Sequence, residues 1–502
     1  MNTNILLDSI PTLTTSNLNS IYSNPTDSRL QSIKNKFSST FNSTPIFYVR
    51  SPGRVNLIGI LLSITSGEHI DYSGYSVLPM AIEKDTIMAV SATQSQNPTV
   101  EIANVLDKYP KRLFNHDPIG HVSIDPSIHE WTNYFKCGYK GVLDTLNPTS
   151  LYSMQVVVSG NVPTGSGLSS SSSLVCCSAL ATLCAHNATM NKGELTKTAI
   201  ESECLAGVQI GGMDQSISIM APKGSALLID FYPKLDATAV TLPKTSPELA
   251  FVIANTLVTA DKHVTAPIHY NLRVVECRLV SILLCTKLGL KLPNHPLTLK
   301  EVEELYFNAN PSNLTQIEKF EKLISLVKSL IKPEPYTLES IATETKIPIQ
   351  TLRDTCIGSI NIRADTFQLY QRALHVYTEA QRVYQFQHLC HTQPPNVLEQ
   401  LGTLMNASHQ SCRDLFNCSC PELDELTQLA RTLGAYGSRL TGAGWGGCTV
   451  SLVPGDKVQP FIAALREQYY AKHFPDRYLD DEFMDAALFA TKPCIGALII
   501  KD

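Results

Sequence analysis

One stretch constrains this chain more than any other: Gly160-Asn161-Val162-Pro163-Thr164-Gly165-Ser166-Gly167-Leu168-Ser169-Ser170-Ser171. Met154 to Ser159 reads as a strand running into it, and an apolar helical pattern from Ser171 to His186 follows. A strand feeding a Gly/Ser loop that opens into a helix N-terminus makes an anion cradle. Glycines let backbone N–H groups approach phosphate oxygens, hydroxyls add donors, and the aligned peptide dipoles favour negative charge. No Gly-Lys-Ser/Thr follows, so this is not a Walker A loop, and it is not a Rossmann fingerprint either. A serine-rich linker has similar composition, but the flanking strand and helix argue against it.

The rest of the chain suits a catalytic domain built around such a loop. Its 502 residues, 43% hydrophobic and 17% charged, supply ample core for two to four domains at about 150 residues each. Forty Lys and Arg against 45 Asp and Glu leave a net charge of −5, which argues against nucleic acid or an anionic membrane as partner. No apolar run approaches the ~20 residues of a membrane span, and MNTNILLDSI lacks the basic and apolar regions of a secretory leader. Many of the 14 cysteines, such as Cys176, Cys177, Cys184 and Cys277, sit in apolar helical patterns. Cys418 and Cys420 are too close for a CxxC zinc half-site. Reduced, structural thiols in a cytoplasmic enzyme are the expectation.

Residues 1–27, rich in Asn, Ser and Thr, read as a disordered tail. Residues 28–245 alternate short strands with helices, including Ser28–Phe41, Trp131–Leu143 and Lys192–Ala206. The Pro-rich run Leu242–Pro247 marks a boundary. Residues 246–502 then start with a strand, Leu249–Asn255, and a long helix, Tyr270–Leu288; an elaboration over 290–358 includes the helix Gln316–Leu330. The class is α+β in two domains, with no internal repeat.

Two further clusters carry chemistry. Ser51-Pro52-Gly53-Arg54-Val55-Asn56-Leu57-Ile58-Gly59, followed by Glu68-His69-Ile70-Asp71-Tyr72-Ser73-Gly74, crowds Arg, Glu, His and Asp between glycines. Such groups bracket neighbouring hydroxyls, as sugar sites do, though a surface turn with ion pairs reads the same way. Gly437-Ser438-Arg439-Leu440-Thr441-Gly442-Ala443-Gly444-Trp445-Gly446-Gly447-Cys448 suggests positive φ and close backbone approach between a helix and a strand; a tight interface loop is the plainer alternative.

Taken together, PGRVNLIG, EH-DY-G, VPTGSGLSSS, GGMDQ and SRLTGAGWGGC closely resemble the GHMP small-molecule kinases, and within them the galactokinases, over residues 45 to 502. Gly74–Met80 and Cys418–Leu423 resemble the longer eukaryotic branch, which includes N-acetylgalactosamine kinases. The resemblance implies a ribosomal-protein-like N-terminal domain and a C-terminal domain derived from a ferredoxin-like fold. It implies transfer of the ATP γ-phosphate to the anomeric hydroxyl of galactose, with Mg2+ accompanying ATP, by a monomer that needs no nucleic acid or membrane. Asp214 of GGMDQ matches the family's catalytic aspartate, and Arg54 the arginine beside it. Glu68, His69, Asp71 and Tyr270 match sugar ligands; Gly165, Gly167, Ser169 and Ser170 match phosphate-loop positions. Ser170 and Glu203 are the implied Mg2+ ligands, Glu203 with the alternative of a solvated helix face.

Substrate and activity keep alternatives. Relatives that phosphorylate N-acetylgalactosamine tend to have Phe where Tyr270 stands, which tilts the expectation to galactose. A catalytically silent sugar and ATP sensor is the other alternative, opposed by the intact Leu168-Ser169-Ser170-Ser171. One departure stands out: Ile60 to Gly67 separate Gly59 from Glu68, where the family has no insertion. These eight residues read as an artefact of the translated gene model, a tolerated loop, or damage to the catalyst.

Overall fold

The computed structural model describes residues 4–22, 27–59, 73–116, 122–128, 130–207, 211–258 and 268–501. The segment Ile60–Gly67 and the expected sugar ligands Glu68, His69 and Asp71 lie outside the described residues. In chain order the strands are β1 (Thr12–Thr14), β2 (Phe47–Ile58), β3 (Leu78–Gln94), β4 (Thr99–Asn104), β5 (Arg112–Asn115), β6 (Tyr152–Gly160), β7 (Ser225–Asp230), β8 (Asp236–Thr241), β9 (Leu249–Asn255), β10 (Gly437–Thr441), β11 (Cys448–Pro454), β12 (Leu488–Thr491) and β13 (Leu498–Lys501). The helices that matter below are α1 (Asp27–Phe41), α2 (Thr132–Leu146), α3 (Ser170–Ala185), α4 (Lys192–Glu203), α5 (Met213–Met220), α6 (Tyr270–Lys287), α7 (Gln316–Leu330), α8 (Leu369–Thr392), α9 (Val397–Ser411) and α10 (Pro421–Thr432).

Seven strands form the first sheet in the order β1-β13-β2-β3-β6-β4-β5, and four form a second, antiparallel sheet, β10-β11-β9-β12. Period-2 alternation divides the first sheet between two layers. Val49, Met88, Val90, Val156 and Val158 face the main core with α2 and α3; Tyr48, Ile87, Ala89 and Val157 face a second cluster with Ile33 and Phe37 of α1. Being covered on both faces, β2 is buried along its whole length. α3 is buried round most of its circumference, which is why its sequence carries little amphipathic period. The thiols of Cys176 and Cys177 pack there as small hydrophobes, and all fourteen cysteines are free. Among the described residues, no helix is long and apolar enough to cross a membrane.

Of the stretch expected as a disordered tail, residues 4–22 carry short elements. β1 pairs in parallel with β13, and Leu18 and Ile21 bury against Phe37 and Ile500. The scattered leucines show no period because their partners lie outside the segment, some in α1 and some in β13 at the far end of the chain. β13 itself returns to the first sheet, antiparallel to β2.

Where α1, β2 and β3 meet, Asp85 is fully buried between two arginines. Arg50 Nε donates to its Oδ2 at 2.6 Å and Arg29 Nη1 to its Oδ1 at 2.5 Å, while the Tyr22 hydroxyl donates to Oδ2. Burial alone would raise the Asp85 carboxyl; the two guanidiniums more than offset it and hold it below the usual range. Arg29 also donates to Ser159 O at 2.8 Å, and Asn161 exchanges two hydrogen bonds with the Asp85 backbone, so this network anchors the start of the Gly/Ser loop.

Candidate active site

β2 runs from Phe47 through Ser51-Pro52-Gly53-Arg54 to Ile58, with a register shift against β3 between Pro52 and Arg54. The irregularity brings Gly53 under the Gly/Ser loop. A Cβ on Gly53 would stand 2.7 Å from Leu168 O and 2.9 Å from the Val162 side chain, so only glycine allows this approach. The next amide, Arg54 N–H, donates to Leu168 O at 3.1 Å.

The Arg54 side chain is buried and reaches two motifs at once. Its Nε donates to Asp214 Oδ1 at 2.7 Å, and its Nη1 donates to Gly167 O. Asp214 lies in the first turn of α5, whose dipole favours a carboxylate, and only 4% of it is exposed. Its neighbour Gln215 donates to Glu203 Oε2 at 2.5 Å, and Ser172 Oγ donates to Glu203 Oε1 at 3.1 Å. Glu203 is therefore not on a solvated helix face. Burial, with the Asp214 charge adding to it, pushes its carboxyl up to about 7 against the hydrogen bonds from Gln215 and Ser172.

Beyond Gly167 the loop lines a cleft of ≈ 350 Å³ with Gly165, Ser169 and Ser170 on one wall and Tyr109 and Trp131 on another. Ser170 opens α3, and Ser169 before it takes a φ of 62°. Here the helix dipole and loop donors meet an aromatic wall, an arrangement suited to a phosphate chain joined to a flat ring. Nothing local marks this wall in the sequence, where Trp131 reads only as the start of a helix.

The third motif closes the other side. The Asn56 amide donates to Thr441 Oγ1 at 3.0 Å, and a Cβ on Gly442 would stand 3.1 Å from Gly167 Cα. Trp445, at a φ of 54°, stacks on His269 with ring centroids 4.8 Å apart, and Tyr270 follows as the first residue of α6. The structure thus unites Arg54, Asp214 and Gly167 by direct contact, sets Glu203 beside Gln215, and places Tyr270 next to the third motif.

Family models match three segments: the galactokinase galactose-binding signature at residues 35–92, the GHMP kinases N terminal domain at 133–221 and the GHMP kinases C terminal region at 389–471. The galactokinase of Dictyostelium discoideum is 42% identical over 492 residues, 94% of each chain. That of Saccharomyces cerevisiae is 36% identical over 95% of this chain and 96% of its own. Among solved structures, Lactococcus lactis galactokinase complexed with galactose aligns with a TM-score of 0.65 at 25% identity, covering 94% of this chain and 100% of that one.

Proposed function

The chain belongs to the galactokinases of the GHMP kinase family, and from that premise we propose how its residues share the transfer of the ATP γ-phosphate to the anomeric hydroxyl of galactose. The observation that carries the reading is the buried Arg54–Asp214 contact at 2.7 Å, bonded on its other side to the phosphate loop at Gly167. Phosphoryl transfer needs alignment and charge neutralisation more than covalent chemistry. Asp214, kept in place by Arg54, receives or polarises the C1 hydroxyl proton, and Arg54 offsets charge that develops on the transferring group. Glu68, His69, Asp71 and Tyr270 hold the sugar hydroxyls; the match of residues 35–92 to the galactose-binding signature supports the first three. Gly165, Gly167, Ser169 and Ser170 receive the phosphates of ATP, its base lying toward Tyr109 and Trp131.

Ser170 and Glu203 would hold Mg2+. The donor chemistry fits: a hydroxyl at the mouth of α3 and a buried carboxylate, raised to about 7, that a hard dication would return to its charged form. When bound, the ion neutralises phosphate charge. Ser170→Ala should raise the Mg2+ concentration for half-maximal rate by about tenfold; an unchanged titration would move the ligand role elsewhere. Free thiols throughout support a reducing, cytoplasmic setting, and the reading is of a monomer. The domain boundary at 245/246 is supported by the Pro-rich run between β8 and β9, which lie in different sheets.

ADP release measured with galactose, N-acetylgalactosamine, glucose and mannose tests the substrate. Galactose should give the highest kcat/KM. Preference for N-acetylgalactosamine would shift the acceptor, and sugar binding without ADP release would make the chain a sensor.

A further inference from the structure

Gln215 follows Asp214 in α5, and its side chain is fully buried. One step along a helix turns a side chain by about 100°, so Asp214 meets Arg54 while Gln215 meets Glu203. Both protons of the Gln215 amide are engaged: Nε2 donates to Glu203 Oε2 at 2.5 Å and to Ser172 Oγ at 3.2 Å. Ser172 Oγ in turn donates to Glu203 Oε1 at 3.1 Å, so the two side chains grip both oxygens of the carboxylate. The ring joins α3, α4 and α5, and Ser172 shares the first turn of α3 with Ser170. The same amide leaves its carbonyl unsatisfied. Gln215 Oε1 is buried and has no donor among the described residues, an unfavourable state for an amide oxygen. Beside a cation position an open acceptor fits, because Mg2+ keeps several of its waters and brings their protons with it.

We propose that Gln215 is a positioning residue for the divalent cation: its amide holds the Glu203 carboxylate in the orientation that receives Mg2+. The inference rests on the reading of Glu203 as a Mg2+ ligand. Removing a group that orients a metal's ligand lowers metal affinity by about 10–100-fold. Gln215 does not line the nucleotide cleft. Its loss should therefore spare the contacts that the protein makes with the nucleotide and weaken only the part of nucleotide binding that the cation supplies. Merely structural damage to α5 or the loop would weaken the nucleotide with and without the cation.

Calorimetric titration of the full chain with ADP, once in EDTA and once in saturating Mg2+, separates the two. In the wild type Mg2+ should tighten ADP binding by about tenfold or more. Gln215→Met keeps the length of the side chain and removes its donors and its acceptor. Its ADP Kd in EDTA should stay within about twofold of wild type, while the tightening by Mg2+ falls to about threefold or less. Full tightening in Gln215→Met, or an equal weakening of ADP with and without Mg2+, overturns the proposal. If the Met variant fails to fold, Gln215→Asn, which withdraws the amide from Glu203 by one methylene, decides on the same criteria. Glu203→Gln is the reference and should lose the tightening too. If Mg2+ fails to tighten ADP in the wild type, or still does so in Glu203→Gln, the metal reading itself fails and the proposal falls with it. A silent Gln215→Met beside a defective Glu203→Gln sinks the proposal alone.

Discussion

Asp214→Asn is expected to lower kcat by about 10²-fold or more while the ATP Kd stays within about twofold. The substitution keeps the side chain's size, its place in the first turn of α5 and an oxygen for Arg54 Nε to donate to. It removes the negative charge that offsets the buried guanidinium and the group able to accept the C1 hydroxyl proton. The nucleotide cleft is lined by the loop and the aromatic wall, with Asp214 outside it, so ATP binding has no reason to follow. Arg54→Ala is the natural companion. It should also lower kcat more than it raises the galactose KM, because an arginine that offsets developing charge acts mainly in the transition state. Retention of kcat within about threefold in Asp214→Asn, against that expected loss, would remove Asp214 from the chemistry. A pure KM effect in Arg54→Ala would make Arg54 a binding residue.

How much of this was legible in the sequence depends on how local each signal was. The helix expected over Gln316–Leu330 has those bounds in α7 because Thr315 and Glu318 form a capping box that the spacing announces. Leu249–Asn255 is likewise a strand as expected, a short apolar run buried at every position. Pro52 and Gly53 read as turn punctuation, yet β2 passes through them because a bulge absorbs the irregularity and the loop at Leu168 packs onto the bare glycine backbone. β13, β1 and the buried Leu18 are tertiary effects: a short apolar stretch at one end of the chain finds its partner at the other. In the site, the phosphate loop was legible from physics alone, as strand, glycines and helix. Arg54 and Asp214 were legible only by resemblance, since nothing local says that residues so far apart will touch. Tyr109 and Trp131 gave no signal as a cleft wall, because the loop they face lies elsewhere in the chain.

The largest stability effect should come from a residue outside the reaction. Asp85→Asn is expected to cost about 3–5 kcal/mol, the usual penalty for removing one partner of a buried ion pair. Arg50 is fully buried and loses the carboxylate that balances its charge, while its remaining bonds go to Ile495 O, Gly496 O, Ile82 O and Cys494 Sγ. Replacing both partners, Arg50→Met together with Asp85→Leu, should recover only part of the loss, because removing the guanidinium leaves those carbonyls without a donor. The sign with pH follows from the direction of the shift. A carboxyl held below its unfolded value contributes stability that is fully present above about pH 4 and fades as pH falls through the folded value. The gap between wild type and Asp85→Asn in urea midpoint should therefore be wide at pH 7 and narrow on acidification. A gap under about 1 kcal/mol at pH 7, or one that widens toward acid, would mean that Asp85 does not hold α1, β2 and β3 together as an ionised carboxylate.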